Sequence, residues 1–179
     1  MKDSFAVTFR MAVPDEAEAV RTIEYDAAQR FASIGMTGIA DAQPMNADFV
    51  RRKIEASEII VAVDDKAGCV AFVMFVPLAK RFYIEELDVL NAWAGQRIGA
   101  ALIEQVAVLA RERGAQELVL STFRDVPWNA PYYQRLGFRV MDGDRLDARL
   151  RALRAAHIAR GLDESRRVFM CREVVEVGG

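Results

Sequence analysis

The sequence predicts one mixed α/β (α+β) domain, with helices around a sheet whose first half is largely antiparallel. Apolar β-branched runs typical of strands alternate with runs of helical periodicity. The 179 residues suit a single domain over 1–179. No linker, internal repeat or low-complexity tract divides the chain. The expected order is helices near the start, a hairpin, and then two strand-to-helix units.

Periodicity and turn residues predict the elements of the N-terminal half. Phe5–Arg10 alternates as a strand does, and Pro14 with two following acids favours a helix start. An apolar stripe at helical spacing then comprises Val20, Ile23, Ala27 and Phe31. A loop is expected over 35–44, followed by a short helix that Asn46 caps and that runs to about Ala56.

The rest of the chain alternates strands and helices. Two apolar runs, 58–63 and 67–76, flank the polar triplet 64–66 and predict an antiparallel hairpin. The later predicted elements are a strand over 81–90, a helix over 97–113 that stops at Gly114, a strand over 117–122, a short helix from Pro131 to Gly137, a strand from Phe138, an Arg-rich helix over 144–161 and a strand over 168–175.

Composition and charge exclude several functional classes. Hydrophobic residues make up 53% and charged residues 28% of the chain, which excludes a disordered protein. The net charge of -2 gives no reason to expect nucleic acid as a partner. The longest apolar run, 67–79, is too short to span a bilayer, and no signal-peptide pattern opens the chain. We therefore expect a cytoplasmic protein with no membrane partner. No Cys/His spacing indicates a metal.

The segment from Leu87 to Leu102 predicts an anion-binding loop. A strand ends, a short loop with Gly95 follows, and a helix begins near Ile98, so free backbone N–H groups and a helix dipole point at one place. Gly99 would let a ligand approach the first helical turn closely. An ordinary strand-to-helix connection is the alternative on this segment alone, and dinucleotide-binding and Walker A patterns are absent.

This segment resembles the acetyl-CoA-binding motif of the GNAT superfamily of N-acyltransferases, Arg/Gln-x-x-Gly-x-Gly/Ala. In the register that keeps the distance from Val89, Ala94 takes the Arg/Gln place, Arg97 the first glycine and Gly99 the second. A register shifted by two positions fits the letters better and the distance worse. It uses Gln96, Gly99 and Ala101.

A second segment is similar to a later motif of the same family. Asn129-Ala130-Pro131-Tyr132-Tyr133-Gln134-Arg135-Leu136-Gly137-Phe138 follows the next predicted strand at the expected distance. Two motifs in the right order are far more specific than one. The resemblance spans roughly Phe5 to Val140. It implies a mixed, mostly antiparallel central sheet that is flanked by helices and splayed at the CoA-binding strand.

The resemblance also implies a reaction. An acetyl group would move from the co-substrate acetyl-CoA to a primary amine of a small molecule. The amine would attack directly, and no metal would take part. Backbone groups at Leu87 and Val89 would hold the pantetheine arm and the thioester oxygen, and Asn129 would bind the arm. Tyr133, five residues before Phe138, would be the general acid, since a phenol has a pKa of about 10, near that of a free thiol. The pyrophosphate would be held by Ala94, Gly95, Gln96, Arg97, Ile98, Gly99 and Ala100.

Two adjacent carboxylates, Glu85 and Glu86, precede this motif. Neighbouring strand residues point to opposite faces, so at most one of them faces the active-site cleft. Several family members carry an acid at the place of Glu85 that binds or deprotonates the amine, so Glu85 is the favoured base and Glu86 the alternative. Asp88 shares its face with Glu86 and would support a cationic substrate.

The acceptor side is less specific. By resemblance, the first two helices and their loop cover the acceptor. Tyr25 and Phe31 are the candidate contacts, with Met36 and Met45, and all four suit a core equally well. His157 continues an apolar stripe and is expected to be structural. Three alternatives stay open: an acyl-CoA-binding sensor without turnover, a protein or peptide acetyltransferase, and a homodimer through the last strand and the Arg-rich helix.

Overall fold

A computed structural model describes residues 7–174 of the chain. Its seven strands are β1 (Val7–Met11), β2 (Ile59–Asp64), β3 (Gly68–Leu78), β4 (Arg81–Val89), β5 (Glu117–Phe123), β6 (Arg139–Val140) and β7 (Arg167–Glu173). The α-helices in this range are α1 (Ala17–Ala28), α2 (Thr37–Ala40), α3 (Ala47–Glu55), α4 (Ile98–Glu112), α5 (Ala130–Arg135) and α6 (Ala148–Ala159).

The strands form one open sheet in the order β1-β2-β3-β4-β5-β7-β6. β1 pairs antiparallel with β2, and β2 pairs antiparallel with β3. β7 lies antiparallel between β5 and β6, with Glu117 opposite Glu173 and Arg139 opposite Cys171. The predicted class, a mixed and mostly antiparallel sheet flanked by helices, is confirmed.

The described chain forms two compact units, and both β3 and β4 contribute to each of them. The first unit contains the residues up to Val76 and Ile84–Leu109. Its core lies between one face of the sheet and helices α1 and α3. Val20 and Ile23 of α1 pack there with Val50 and Ile54 of α3. The strand residues of this core are Ile59, Val61, Phe72 and Met74.

The second unit comprises Pro77–Tyr83 and the chain from Ala110 onward. β5 and β7 are buried along most of their length. Arg81 binds Glu117 at 2.9 Å and Asp147 at 3.0 Å. Asp147 also caps α6, because its carboxylate accepts the N–H of Leu150 at 3.0 Å. The second unit thus joins the start of β4 to the first residue of β5 and to α6.

Most predicted elements occur within a few residues of their predicted bounds. Asn46 caps α3 as expected, its side chain accepting the N–H groups of Asp48 and Phe49. The predicted loop over 35–44 is wrong in part, since it contains α2. Phe31 is not part of α1, because the helix tightens into a 3-10 segment at Gln29–Ile34. The Arg-rich helix is shorter than predicted.

Parts of two predicted strands lie outside the described residues, namely positions 5 and 6 of the first and position 175 of the last.

Candidate active site

The predicted anion-binding loop begins where β4 ends. Leu90 donates its N–H to the carbonyl of Val70 at 2.9 Å, and a 3-10 turn follows at Asn91–Trp93. Residues 94–97 are all exposed, and α4 begins at Ile98. The carbonyl of Arg97 accepts the N–H of Ala101 at 3.0 Å, so Arg97 stands at the helix entrance. The first N–H groups of such a helix have no partner within the helix and can bind an anion.

Two residues of this loop have left-handed backbone conformations. Gly95 has φ +80°, and Arg97 has φ +63°. Glycine adopts this region freely, whereas a residue with a Cβ does so at a cost. In the register that keeps the distance from Val89, Arg97 takes the place of the first glycine of the family motif. The left-handed φ of Arg97 supports that register over the shifted one.

Asn129 presents a buried acceptor at the entrance of α5. Its Nδ2 donates to Oγ1 of Thr122 at 2.7 Å, which fixes the amide. Its Oδ1 is buried and has no hydrogen-bond partner within residues 7–174. A buried acceptor without a partner is costly, so this oxygen suits a donor from a ligand. An amide N–H of a pantetheine arm is such a donor.

Tyr133 lies on α5 and is only 8% exposed. Its ring contacts Tyr132 at 5.4 Å and Phe138 at 5.7 Å between centroids, both edge to face. Its backbone is held at both ends, by the carbonyl of Asn129 at 3.0 Å and by the N–H of Phe138 at 3.0 Å. The phenol is therefore a positioned group, and not a surface side chain.

Glu85 forms an ion pair that the sequence did not predict. Its carboxylate binds the ammonium group of Lys53, which also binds Glu58 at 2.7 Å. The Lys53 side chain is 11% exposed and that of Glu85 is 27% exposed. A carboxylate in the middle of a strand thus has a cationic partner from the end of α3.

Asp88 lies among other charges of the first unit. Burial raises the pKa of Asp88 well above its usual value, the negative charges of Glu86 and Glu24 raise it further, and Arg30 opposes them. Burial also raises the pKa of Glu24, although the N–H of Met45 donates to that carboxylate at 2.8 Å. Asp88 and Glu86 therefore share an environment with α1 and the segment after it.

The candidate acceptor residues have different surroundings. Tyr25 on α1 is 49% exposed and is not a core residue. Phe31 and Met36 are half-buried in the segment that follows α1, where the N–H of Met36 donates to the carbonyl of Phe31 at 3.0 Å. Met45 packs against the core of the first unit. Tyr25 is the one of the four that solvent reaches most readily.

The candidate residues are divided between the two units. Tyr25, Phe31, Glu85–Val89 and the loop up to Ala100 belong to the first unit, and Asn129 and Tyr133 belong to the second. Lys53, Glu24 and Thr122 were not predicted as neighbours of the candidate residues. Each lies seven or more positions from the residue it contacts, and no periodic pattern connects them.

Residues 7–174 contain neither a metal-binding cluster nor a membrane-spanning helix. No group of three or more His, Cys, Asp or Glu in that range could hold a metal ion. None of the helices found there is long and apolar enough to cross a membrane.

His157 is 5% exposed, its Nδ1 lies 3.0 Å from a carboxylate oxygen of Glu164, and its ring stacks on Phe169. That packing suits a structural histidine.

Solved structures with a similar fold include several acetyltransferases. PaiA N-acetyltransferase of Thermoplasma acidophilum, in complex with coenzyme A, has a TM-score of 0.69 at 14% identity, over 94% of this chain and 99% of that one. N-acetylglutamate synthase of Neisseria gonorrhoeae, with coenzyme A and N-acetyl-glutamate, has a TM-score of 0.72 at 14% identity, over 96% of this chain and 36% of that one. A nourseothricin acetyltransferase has a TM-score of 0.64 at 21% identity, over 95% and 99%. At these identities the likeness concerns the fold.

The family itself follows from the sequence match. Residues 20–138 match the Acetyltransferase (GNAT) family, and this range includes the loop at 94–100 as well as Asn129 and Tyr133. With about two thirds of the chain matched, the protein belongs to the GNAT family of acetyltransferases.

Proposed function

We propose that this protein is an N-acetyltransferase that moves an acetyl group from acetyl-CoA to a primary amine of a small molecule. The left-handed conformation of Arg97 at the entrance of α4 carries the proposal. It gives position 97 the conformation that glycine adopts freely, as the proposed phosphate-binding loop would require where the sequence lacks the motif glycine. The family match over residues 20–138 supports the same conclusion.

The residues present fit coenzyme A. The exposed loop at 94–97 and the first turn of α4 offer backbone N–H groups to the pyrophosphate, and the Arg97 guanidinium adds a positive charge. The buried Oδ1 of Asn129 offers an acceptor to an amide of the pantetheine arm. Backbone groups at Leu87 and Val89 complete the proposed set.

The reaction forms a C–N bond and breaks a C–S bond. Acetyl-CoA supplies the activated acetyl group, and the amine must lose its positive charge before its lone pair can attack. Glu85 is the proposed proton acceptor, with Glu86 as the alternative on the opposite face of β4. Tyr133 is the proposed proton donor to the departing sulfur, and its buried, packed ring suits a fixed donor.

The acceptor is proposed to be cationic before it reacts. Glu24, Glu86 and Asp88 place three carboxyl groups near one another, with Arg30 as the opposing charge. Such a cluster of carboxyl groups favours an ammonium group over a carboxylate. Tyr25 and Phe31 are the proposed apolar contacts.

Calorimetry and a thiol-release assay test the proposal in sequence. Acetyl-CoA titrated into the folded protein should bind, and mixtures with a panel of primary amines should release CoA thiol. Absence of binding overturns the proposal. The panel includes a peptide with a free amino group. Binding without thiol release from any member of the panel favours the acyl-CoA sensor. The departures from the family motif at Ala94 and Arg97 also suggest a sensor. Release with the peptide alone favours a protein acetyltransferase.

Matched variants test the residue roles. Tyr133→Phe should lower kcat by about 100-fold or more, because it removes the proton donor. Tyr132→Phe makes the same chemical change on the adjacent residue and should leave kcat within about twofold. Glu85→Gln should lower kcat strongly, while Glu58→Gln, which changes the other carboxylate on Lys53, should not. Equal losses in the members of either pair contradict the assignment.

A further inference from the structure

Two hydrogen bonds join Asp26 of α1 to Asn91 at the start of the candidate coenzyme A loop. The backbone N–H of Asn91 donates to Oδ2 of Asp26 at 2.6 Å. The side-chain Nδ2 of Asn91 donates to the backbone carbonyl of Asp26 at 2.5 Å. Both residues belong to the first unit, although 65 positions separate them.

The position of Asp26 in α1 indicates a role other than helix stability. Asp26 lies in the last turn of α1, where the negative end of the helix dipole disfavours a carboxylate. The Asp26 carbonyl accepts two hydrogen bonds, one from the N–H of Gln29 at the end of α1 and one from the Asn91 side chain. A charge-assisted bond to a backbone N–H is among the stronger hydrogen bonds in proteins.

The contact between Asp26 and Asn91 lies at the start of the loop, between the end of β4 and the exposed residues. Leu90 is bound to β3 through the carbonyl of Val70 at 2.9 Å, and Asn91 is bound to α1. The carbonyl of Asn91 then accepts the N–H of Ala94 at 3.2 Å, which closes the 3-10 turn. The next residues, 94–97, are exposed up to the entrance of α4. The direction in which the chain leaves Asn91 therefore decides where the exposed residues lie.

We propose that Asp26 is a positioning residue that holds the coenzyme A loop in its binding conformation through Asn91. The proposal rests on the proposed function, because it concerns the affinity of that loop for coenzyme A. Asp26 itself is proposed to make no contact with the ligand. Its own negative charge opposes the binding of phosphate, so its contribution is geometric.

Two substitutions at Asp26 separate geometry from charge. Asp26→Ala removes the acceptor, and we expect about tenfold weaker binding of coenzyme A and a KM for acetyl-CoA raised to a similar extent. The kcat at saturating acetyl-CoA should stay within about twofold. Asp26→Asn keeps an oxygen that can accept the Asn91 N–H and removes the charge, so its affinity should equal or slightly exceed that of the wild type.

Glu18→Ala is the matched control. Glu18 is an exposed carboxylate on the same helix, and it binds Arg21 at 2.7 Å, one turn away. This variant should bind coenzyme A as the wild type does. Hydrogen exchange supplies a readout that needs no ligand: amides over 90–97 should exchange faster in Asp26→Ala than in Asp26→Asn or Glu18→Ala.

The outcomes distinguish this inference from the proposed function. Wild-type protein that binds no coenzyme A overturns the proposed function, whatever the exchange data show. Wild-type protein that binds coenzyme A while Asp26→Ala binds it equally well overturns the role of Asp26. Equal losses in Asp26→Ala and Asp26→Asn also overturn it, because they point to the charge. If Asp26→Ala does not fold, Asn91→Ala removes the second hydrogen bond and should weaken binding by a smaller factor.

Discussion

Replacing Arg97 with glycine tests the conformation on which the proposed function depends. Arg97 is exposed and has φ +63°, so little packing is lost with its side chain. A residue with a Cβ in the left-handed region carries about 1–2 kcal/mol of strain. Glycine loses about 0.5–1 kcal/mol more conformational entropy on folding. Arg97→Gly should therefore raise the free energy of unfolding by about 0.5–1 kcal/mol.

A second substitution separates strain from charge. Arg97→Ala keeps a Cβ and hence the strain, so it should not gain stability, yet it also removes the positive charge. Both variants should bind coenzyme A about two- to fivefold more weakly than the wild type, and the difference should shrink as salt is raised. Ala79, with φ +52° in the turn before β4, provides the control: Ala79→Gly should gain similar stability without a change in affinity.

Urea denaturation at constant pH gives the unfolding free energies, and calorimetry gives the affinities. An Arg97→Gly variant that is no more stable than Arg97→Ala would show that the backbone at position 97 is not left-handed. If neither variant loses affinity, the Arg97 charge does not act on the phosphates.

Two further predictions concern the remaining titratable groups. Burial and, next, the charge of Arg167 lower the pKa of His157, while the charge of Glu164 opposes them. The unfolded state therefore binds more protons than the native state. The free energy of unfolding should fall as the pH drops through about 6.5. Denaturation at pH 7.5 and pH 5.5 should show a smaller difference for His157→Gln, and an equal difference contradicts the assignment. Burial raises the pKa of Cys69 to about 12, together with the hydrogen bond to Glu16 and the charge of that carboxylate. In the native protein at pH 8.5, Cys69 should therefore resist alkylation by iodoacetamide. Rapid labelling of Cys69, measured by mass spectrometry, is the contrary result.

The sequence contained the information for most elements because their signals are local. The side chain of Asn46 caps α3 within three residues, and Gly114 takes φ +73° just after α4. The segment after α1 was harder to predict. It folds into a 3-10 stretch and the single turn of α2, where short-range hydrogen bonds decide the conformation and no apolar period exists.

The sequence predicts the candidate site only as strand faces and motifs. Strand alternation put Glu86 and Asp88 together, and their charges do act on each other. Alternation cannot show which side chains from other elements meet a strand. Lys53 binds Glu85 from 32 positions away, and Asp26 binds Asn91 from 65 positions away. Such pairs depend on how α1 and α3 pack on the sheet.

The groups around Asp88 affect its charge in a way that its position on the strand does not reveal. From its strand position, Asp88 was predicted to support a cationic substrate. Burial and the nearby charges of Glu86 and Glu24 instead favour its protonated form. A cation bound among these groups would offset the same repulsion, so we expect the proposed ammonium acceptor to favour the ionised form of Asp88. A carboxyl group that ionises when an ammonium group arrives stabilises the bound cation without leaving several unpaired charges buried in the free protein.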